Sequence, residues 1–495
     1  MLLGVDYYPE QWDTSLMDAD MDRILELGCN VIRIGEFAWH RMEKQEGQFD
    51  FSYFDGVIAM AKQKDLQVIF GTPTATPPAW FIAKYPDILS RFPDGSPRAF
   101  GGRHVACYSN PHYLEACRKI ITALAEHYRG EEGIVAWQVD NEIGHEGSDL
   151  CWCDHCRDGF RRHLDKAFAG DINKLNDTFG TAFWSQEYNS FEEIPLPNTT
   201  ITTHNPALRL EWERFCSEKL VDFIRFQADL LHELLPDAVV MHDFPGGGLT
   251  KHVSYADVAA CLDQVAFNNY PVWGGQKEPL PPSEIAFGLD YIRGLQGKNF
   301  WITEAIMGAQ GHDITGFLPR PNQAKLWSWQ GMAHGCDGLM YFRYRGATKG
   351  AEQFCYGILD ADNVPRRRFF EVQSFFREVR EYQDVLTAPV HSDVAILYDY
   401  DSLASFRIQQ QSLCGGHDAV FFKAAVHRDA DSLHVAAHLL FAVAAVFALA
   451  AVDVRVDGDV VANLEALDTL AHFCDDAGIL TVSYTHLRAH ETSLH

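Results

Sequence analysis

The sequence predicts an α/β protein built on a (β/α)8 TIM barrel, and three observations lead to this fold class. Eight short apolar runs recur over the first 385 residues, and segments with apolar residues at helical spacing lie between them. Most of the runs are continuously apolar, as in parallel strands that are covered on both faces. No Gly-rich phosphate motif follows any run, which disfavours the alternative, a doubly wound open sheet. Eight such units are what a barrel requires.

The predicted elements follow one another as strand, helix, strand along the chain. The strands are Leu2–Tyr8, Val31–Phe37, Gln67–Thr72, Ile134–Val139, Ala238–Asp243, Gln264–Tyr270, Phe300–Thr303 and Gly338–Tyr344. Predicted helices include Ser15–Leu27, Phe54–Lys64 and Pro111–Tyr128. Long insertions at Pro73–His104 and Ile143–Pro206 follow the third and fourth strands. They belong to the loops that form the active face of a barrel enzyme.

The composition excludes several classes of protein. A content of 47% hydrophobic and 13% aromatic residues is typical of a globular protein. The 68 acidic residues outnumber the 41 basic ones, so neither nucleic acid nor an anionic membrane is expected as a partner. The first residues lack the basic region of a secretory signal, and we therefore expect a cytoplasmic protein. The helix-like apolar run His434–Val452 is nearly long enough to span a bilayer, but two histidines interrupt it and favour a buried segment.

Two acidic side chains stand at the predicted ends of opposite strands. The fourth strand ends in Asp140-Asn141-Glu142, and the seventh ends in Glu304. In a barrel these strand ends face each other across the mouth, where catalytic residues lie. A carboxylate that follows a buried run is costly to bury without a task. A pair of carboxylates is the basic apparatus of glycoside hydrolysis, in which the acid needs a raised pKa.

Several longer motifs resemble the β-galactosidases of glycoside hydrolase family 42. They are GVDYYPEQW, VIRIGEFAW, TPTATPPAW, WQVDNE, FWITEA, LPRPNQAKLWSWQGMAHGCDG and MYFRYRGA, and they run from residue 4 to about 347. DVAILYDYDSLASFRIQQQS then resembles the start of the family's second, trimer-forming α/β domain. The resemblance ends after Gln411-Ser412. It implies a catalytic barrel over 1–385 with a zinc-binding loop and the start of a trimerisation domain over 386–412. Residues 413–495 are best explained as a non-native tail that follows a frame change or truncation.

The resemblance also implies roles for individual residues. Glu142 would be the proton donor and acid/base, and Glu304 the nucleophile, of a retaining double displacement that releases terminal β-D-galactose. Arg33 and Tyr270 would hold Glu304 ionised and oriented, and Asn141 would bind the 2-hydroxyl of the sugar. The remaining implied substrate-binding residues are Arg103, Trp184 and Glu352. The loop after Glu304 lacks the tryptophan that the family often has there, and a histidine beyond Glu352 is also missing. Both departures concern the sugar pocket.

Three cysteines and a histidine occupy six residues after the fourth strand. Cys151, Cys153 and Cys156 have the close spacing of a structural zinc site, which needs one further ligand. By proximity that ligand would be His155, whereas Cys107 could reach it from the loop after the third strand. The family resemblance favours Cys107. Four thiolates would leave no open position on the zinc, so we expect a structural metal and no organic cofactor.

Two other functions are compatible with the same sequence. The barrel could hydrolyse another β-linked sugar, as a β-glucosidase or an arabinosidase does, and a panel of nitrophenyl glycosides would separate these activities. A sugar-binding barrel without turnover is the alternative from a different class. The presence of both Glu142 and Glu304 argues against it, because a binding protein needs no acid and nucleophile pair.

Overall fold

The computed structural model describes residues 1–246, 251–314, 316–392, 394–409, 422–428, 434–441 and 452–455. Eight parallel strands, each paired with the next in chain order, close into a barrel when the last pairs with the first. They are β1 (Leu2–Asp6), β2 (Val31–Ile34), β3 (Gln67–Gly71), β4 (Ile134–Gln138), β5 (Val240–Phe244), β6 (Gln264–Asn269), β7 (Phe300–Ile306) and β8 (Cys336–Phe342). The predicted barrel is confirmed.

Helices alternate with the barrel strands. Those of the first 390 residues are Met17–Leu27, Trp39–Met42, Ser52–Gln63, Ala79–Lys84, Pro111–His127, Asp154–Ala167, Ile172–Phe179, Pro206–Leu234, Tyr255–Ala259, Pro282–Gln296, Gln323–Ala333, Arg367–Glu381 and Gln383–Leu386. Short 3-10 turns lie at Pro9–Gln11, Thr14–Leu16, Pro73–Ala75, Pro86–Ile88, Phe183–Ser185 and Phe191–Glu193. A small hairpin of Glu43–Gln45 and Gln48–Phe49 follows β2. The three predicted helices occur with ends shifted by one or two residues.

Local signals explain where these helices begin and end. In Met17–Leu27 the buried residues recur at helical spacing, and Gly28 ends the helix with φ 92°. Only glycine adopts that left-handed conformation at no steric cost. Asn110 begins Pro111–His127, because its side chain accepts the backbone N–H groups of the first turn. Pro111 occupies the first helical position, where its missing N–H costs nothing.

The barrel interior changes from apolar to charged along its axis. One apolar cluster takes a buried side chain from each of six strands, namely Val31, Ile69, Ala136, Met241, Ala266 and Met340. Such a layer fills the barrel as a packed core. Nearer the carboxyl ends of the strands, the buried side chains include Asp6, Arg33, Asp243, Asn268 and Glu304. The fold therefore places its buried charges at the end of the barrel where active sites are found.

The chain divides into two compact units. The first comprises residues 1–175, 187–198 and 215–390, and the second comprises 176–186, 199–214 and 391–495. The second unit contains the helix Tyr400–Ile408 and an antiparallel sheet of four strands in the order Val394–Leu397, Phe422–Arg428, His434–Phe441 and Val452–Arg455. Arg214 binds Asp401 within this unit at 2.6 Å.

The apolar run that begins at His434 was expected to be helix-like. This expectation is wrong for His434–Phe441, which forms a strand paired with Phe422–Arg428 on one side and Val452–Arg455 on the other. Residues 442–451 of the run lie outside the described residues. In the described part of the chain, no helix combines the length and the hydropathy that crossing a bilayer requires.

Candidate active site

The chain turns sharply after β4, and the turn presents Glu142. Asp140 and Glu142 both have positive φ, at 54° and 43°, a conformation that ordinary residues adopt only where surrounding contacts enforce it. Asp140 supplies such contacts: Thr74 Oγ1 donates to its Oδ2 at 2.5 Å, and the Asn141 N–H donates to its Oδ1 at 2.9 Å. Burial raises the pKa of Asp140, but bonds from His104 and Thr74 outweigh burial and lower it. An ionised Asp140 therefore stabilises this turn.

Glu142 is buried between two donors. Arg103 Nη2 donates to its Oε2 at 2.8 Å, and Asn268 Nδ2 donates to its Oε1 at 2.9 Å. Burial by itself raises the pKa of Glu142, but the positive charge of Arg103 and further nearby donors lower it to about 2. We expected a raised pKa for this residue. The expectation is wrong for the free site because Arg103, from a long loop, pairs with the carboxylate directly.

Glu304 lies within β7 and also accepts two bonds. Arg33 Nη2 donates to its Oε1 at 2.6 Å, and the Tyr270 hydroxyl donates to its Oε2 at 2.5 Å. The structure thus brings Arg33 and Tyr270 to the residue that they were expected to orient. Burial nevertheless raises the pKa of Glu304 to about 7, with the charge of Glu142 adding to the rise and Arg33 opposing it. Contrary to expectation, the two donors do not hold the pKa of Glu304 at or below its usual value in the free site.

Arg33 lies at the centre of a group of buried carboxylates. Besides Glu304, its guanidinium pairs with Asp6 at 2.9 Å, Glu36 at 3.1 Å and Asp243 at 3.4 Å. One positive charge faces four carboxyl groups, so burial favours protonation of some of them. Burial raises the pKa of both Asp6 and Asp243 well above the usual value, although Arg33 opposes the rise. Arg33 is therefore the shared counter-charge of the buried carboxyl groups at the barrel mouth.

Arg103 connects the inner site with its rim. Its Nε donates to Glu146 Oε2 at 3.1 Å, and its Nη2 reaches both Glu142 and Glu146. One orientation of the Asn141 amide satisfies its hydrogen bonds. In this orientation its oxygen accepts from Arg103 Nη1 at 3.0 Å, and its nitrogen donates to Asp243 Oδ2 at 3.0 Å. Asn141, Arg103 and Glu142 therefore form one connected group, as their predicted roles require.

Two of the sequence-predicted residues are not part of this group. Glu352 pairs with Arg343 and lies 4.0 Å from His312, and no contact joins it to Glu142 or Glu304 among the described residues. Trp184 belongs to the second unit, where its ring packs against Phe183 and is 60% exposed. The sugar-binding roles of both residues stay predictions.

Several polar residues of the site were assigned no role from the sequence. They are Asp6, Tyr8, Glu36, Asp243 and Asn268, all buried. A usable signal was present, because each of these residues lies at or just beyond the carboxyl end of β1, β2, β5 or β6. Acidic and amide residues at those ends belong to the same face as Glu142 and Glu304.

Four cysteine sulfurs converge beside the site, and they fit a tetrahedral metal. The Sγ atoms of Cys107, Cys151, Cys153 and Cys156 all lie within 4.8 Å of one another, and Cys107 is 3.5 Å from both Cys153 and Cys156. Zinc–sulfur bonds of about 2.3 Å in a tetrahedron require sulfurs about 3.8 Å apart. His155, the alternative fourth ligand, is exposed and outside the group. The buried group can hold a metal ion.

Backbone amides surround these sulfurs. The N–H groups of Arg91, Ser109 and Cys156 point at the Sγ atoms of Cys151, Cys107 and Cys153, at 3.3 to 3.5 Å. Cys153 also forms the N-cap of the helix Asp154–Ala167. Such N–H···S bonds orient thiolate ligands and stabilise their negative charge.

Comparison with known proteins agrees with this geometry. The glycoside hydrolase family 42 model, described as a β-galactosidase, matches residues 6–382. The chain belongs to this family. A β-galactosidase of Thermus thermophilus is 37% identical over an alignment of 423 residues, and the alignment covers 83% of this chain and 65% of that protein. A β-galactosidase of Halorubrum lacusprofundi is 34% identical over an alignment of 424 residues, and the alignment covers 83% of this chain and 59% of that protein.

Solved structures of the family show the same fold. The crystal structure of a β-galactosidase from the psychrophilic Marinomonas ef1 matches with a TM-score of 0.79 and 32% identity, over 83% of this chain and 66% of that one. This chain spans just under two thirds of the length of the curated Thermus relatives that it matches. The family match covers seven of the eight barrel strands completely, begins at the last residue of β1 and ends before the second unit's sheet.

Proposed function

We propose that this chain is a retaining β-galactosidase, which releases terminal non-reducing β-D-galactose from β-D-galactosides. One observation carries the proposal. Glu142 and Glu304 are both buried at the barrel mouth, one in the turn after β4 and the other in β7, and each is held by its own pair of donors. Two carboxyl groups so placed are the apparatus of glycoside hydrolysis, and the names of the relatives support galactose as the sugar.

In the first step of the proposed reaction, a carboxylate oxygen of Glu304 forms a bond to the anomeric carbon. The bond from that carbon to the leaving-group oxygen breaks, and Glu142 gives its proton to this oxygen. In the second step, Glu142 takes a proton from water, and the water oxygen displaces Glu304. The configuration at the anomeric carbon is inverted in each step, so it is retained overall.

In the free site the pKa values of the two carboxyl groups are shifted in the opposite sense to that which the first step needs. Arg103 lowers the pKa of Glu142 to about 2, whereas burial raises that of Glu304 to about 7. Substrate binding must therefore reverse the order. Sugar hydroxyls that accept hydrogen bonds from Arg103 in place of Glu142 would let the guanidinium move away from that carboxyl group. Burial would then raise the pKa of Glu142, and Glu304 would ionise beside Arg33 and Tyr270. Glu146 already accepts hydrogen bonds from Nε and Nη2 of Arg103, and it can hold the guanidinium at the rim of the site when the bond to Glu142 is lost.

The remaining substrate contacts follow from position and family. We propose that Asn141 binds the hydroxyl next to the reacting carbon, where a hydrogen bond strengthens in the transition state. Arg33 and Tyr270 orient the nucleophile. The further proposed sugar contacts are Arg103, Trp184 and Glu352. A β-glucosidase or an arabinosidase is the alternative, since the loop after Glu304 lacks a tryptophan that the family often uses in the sugar pocket.

A panel of nitrophenyl glycosides tests the proposal. The purified full chain should release nitrophenol from the β-galactoside at a higher kcat/KM than from the β-glucoside, the α-galactoside or the α-arabinoside. Preference for another sugar would reject the galactosidase assignment, and no turnover with any of them would favour a binding protein. Glu304→Gln serves as the matched control, because it keeps the shape of the nucleophile and removes its charge.

We further propose that the four cysteines bind one structural zinc ion, which ties the loop after β3 to the loop after β4. Their sulfur separations and the N–H groups around them support a tetrahedral thiolate site. Metal analysis of protein purified without chelator should find one zinc per chain. A value near zero would reject the site.

We propose three parts of the chain: a catalytic barrel over 1–385, the start of a trimerisation domain over 386–412 and a non-native tail over 413–495. A homotrimer and a cytoplasmic location complete the proposal. The four-thiol site fits a reducing compartment. The expected partner is a galactoside, not nucleic acid or a membrane.

A further inference from the structure

Asp243 is a buried carboxylate that the proposed reaction does not use. It lies in β5, whose neighbours in the sheet are β4, which leads to Glu142, and β6. Its Oδ1 accepts the backbone N–H of Glu142 at 3.2 Å. Its Oδ2 accepts from Asn268 Nδ2 at 2.9 Å and from Arg33 Nη1 at 3.4 Å. Asp243 therefore contacts the acid/base directly and the nucleophile's partner Arg33 as well.

A second connection to Glu142 passes through Asn268. The Nδ2 group of Asn268 carries two hydrogens, and it donates to Asp243 Oδ2 and to Glu142 Oε1, both at 2.9 Å. Asp243 thus fixes the amide that holds one oxygen of the acid/base. The amide nitrogen of Asn141 also points at Asp243 Oδ2, at 3.0 Å. The backbone and the carboxyl group of Glu142 are both tied to this one side chain.

We propose that Asp243 is a positioning residue for the acid/base, which it orients through the backbone N–H of Glu142 and through Asn268. The inference rests on the proposed two-carboxylate function. Arg33 pairs with both Asp243 and Glu304, and it therefore connects the residues that hold Glu142 to the nucleophile. A small displacement of Glu142 would leave substrate binding intact. It would slow the two proton transfers, the one to the leaving group and the one from water.

The role requires a carboxylate. Donors from four residues converge on the two oxygens of Asp243, so both oxygens act as acceptors in this geometry although burial raises the pKa of the carboxyl group. An asparagine has a single oxygen, so its NH2 group would face either the Glu142 N–H or the amide of Asn268. In the second case, Asn268 must rotate and lose its bond to Glu142. Asp243→Asn is therefore nearly isosteric, yet it disrupts one of the two connections.

The test separates acid/base positioning from general damage by varying the leaving group. General acid catalysis contributes about 10²- to 10⁴-fold where the leaving group needs a proton, and it contributes little where the leaving group is already a good one. Kinetics of the full chain are measured with methyl and with dinitrophenyl glycosides of the sugar preferred by the wild type. Asp243→Asn should lower kcat/KM for the methyl glycoside at least about tenfold more than for the dinitrophenyl glycoside. Added azide, which needs no base, should accelerate the variant and leave the wild type unchanged.

Asp6→Asn is the matched control. Asp6 is equally buried and pairs with Arg33 Nε at 2.9 Å, but no contact joins it to Glu142 or Asn268 in the described part of the chain. Asp6→Asn should lower kcat/KM by the same factor for both leaving groups. Equal losses in Asp243→Asn without an azide effect would overturn the inference. If that variant does not fold, Asp243→Ser makes the same test, because it removes the carboxylate and leaves Asn268 and Glu142 unchanged. A wild type that is inactive on every glycoside would reject the proposed function instead.

Discussion

The opposite pKa shifts of Glu142 and Glu304 predict opposite effects of one substitution on stability. The pKa of Glu142 is lowered from 4.5 to about 2, and that of Glu304 is raised from 4.5 to about 7. Both residues are about 95% buried, so the shifts are not screened by water. Each corresponds to roughly 2.5 pKa units at 1.36 kcal/mol per unit, or about 3 kcal/mol. Glutamine at either position removes the charge and keeps the shape.

The signs follow from the direction of each shift. A lowered pKa stabilises the fold above pH 4.5, and this contribution is lost as the pH falls towards 2, so Glu142→Gln should destabilise the protein at pH 7 by up to about 3 kcal/mol. A raised pKa produces a penalty that is absent below pH 4.5, grows between 4.5 and 7 and is complete above 7. Glu304→Gln removes this penalty at pH 8. Because one bond from Arg33 or Tyr270 is lost, costing about 1 kcal/mol, the net gain is about 2 kcal/mol.

Thermal unfolding of the wild type and both variants from pH 4.5 to 8 provides the measurement. The melting temperature of Glu304→Gln relative to the wild type should rise over this range by a few degrees, whereas Glu142→Gln should melt lower than the wild type at pH 7. Glu36 and the other buried carboxylates are unchanged in both variants and serve as a common background. Parallel curves for the three proteins, or a stabilised Glu142→Gln at pH 7, would refute the reasoning about Arg103 and burial.

Three further outcomes are expected. Glu142→Ala should still form the glycosyl-enzyme from substrates with good leaving groups, and azide should rescue its release, whereas azide should not restore retained product to Glu304→Ala; the opposite pattern would exchange the two roles. Cys153→Ser should lower the melting temperature and the zinc content while it changes kcat little at low temperature, and a loss of kcat without loss of stability would contradict a structural metal. A chain ended after Ser412 should be as soluble and as active as the full chain, because the carboxylate site lies within the first unit; loss of folded protein would contradict a non-native tail.

Much of the barrel could be predicted because its signals are local. Each strand is a short apolar run bounded by polar residues, and a carboxylate at the end of such a run is visible without knowledge of its neighbours. Glu142 and Glu304 are found in this way. The strand His434–Phe441 was not, because it begins a long apolar run, His434–Val452, and long runs are more typical of helices than of strands.

The electrostatics of the site could not be predicted from the sequence. The pKa of Glu142 depends on Arg103, 39 positions away in a long loop, and burial alone would have given the opposite direction. Asp243 receives donors from residues 25, 101 and 210 positions away, and no periodicity brings these together. Cys107 likewise came from the family resemblance, because no spacing rule links it to a motif 44 residues further along.

The most direct test of the central claim is to trap the covalent intermediate. A 2-deoxy-2-fluorogalactoside with a good leaving group forms the glycosyl-enzyme but releases it slowly, and mass spectrometry of the digested protein identifies the labelled side chain. The proposed double displacement requires one label per chain, on Glu304. A label on Glu142 or Asp243, or steady turnover of galactosides with no labelled residue, would contradict the assignment of Glu304 as the nucleophile of a retaining enzyme.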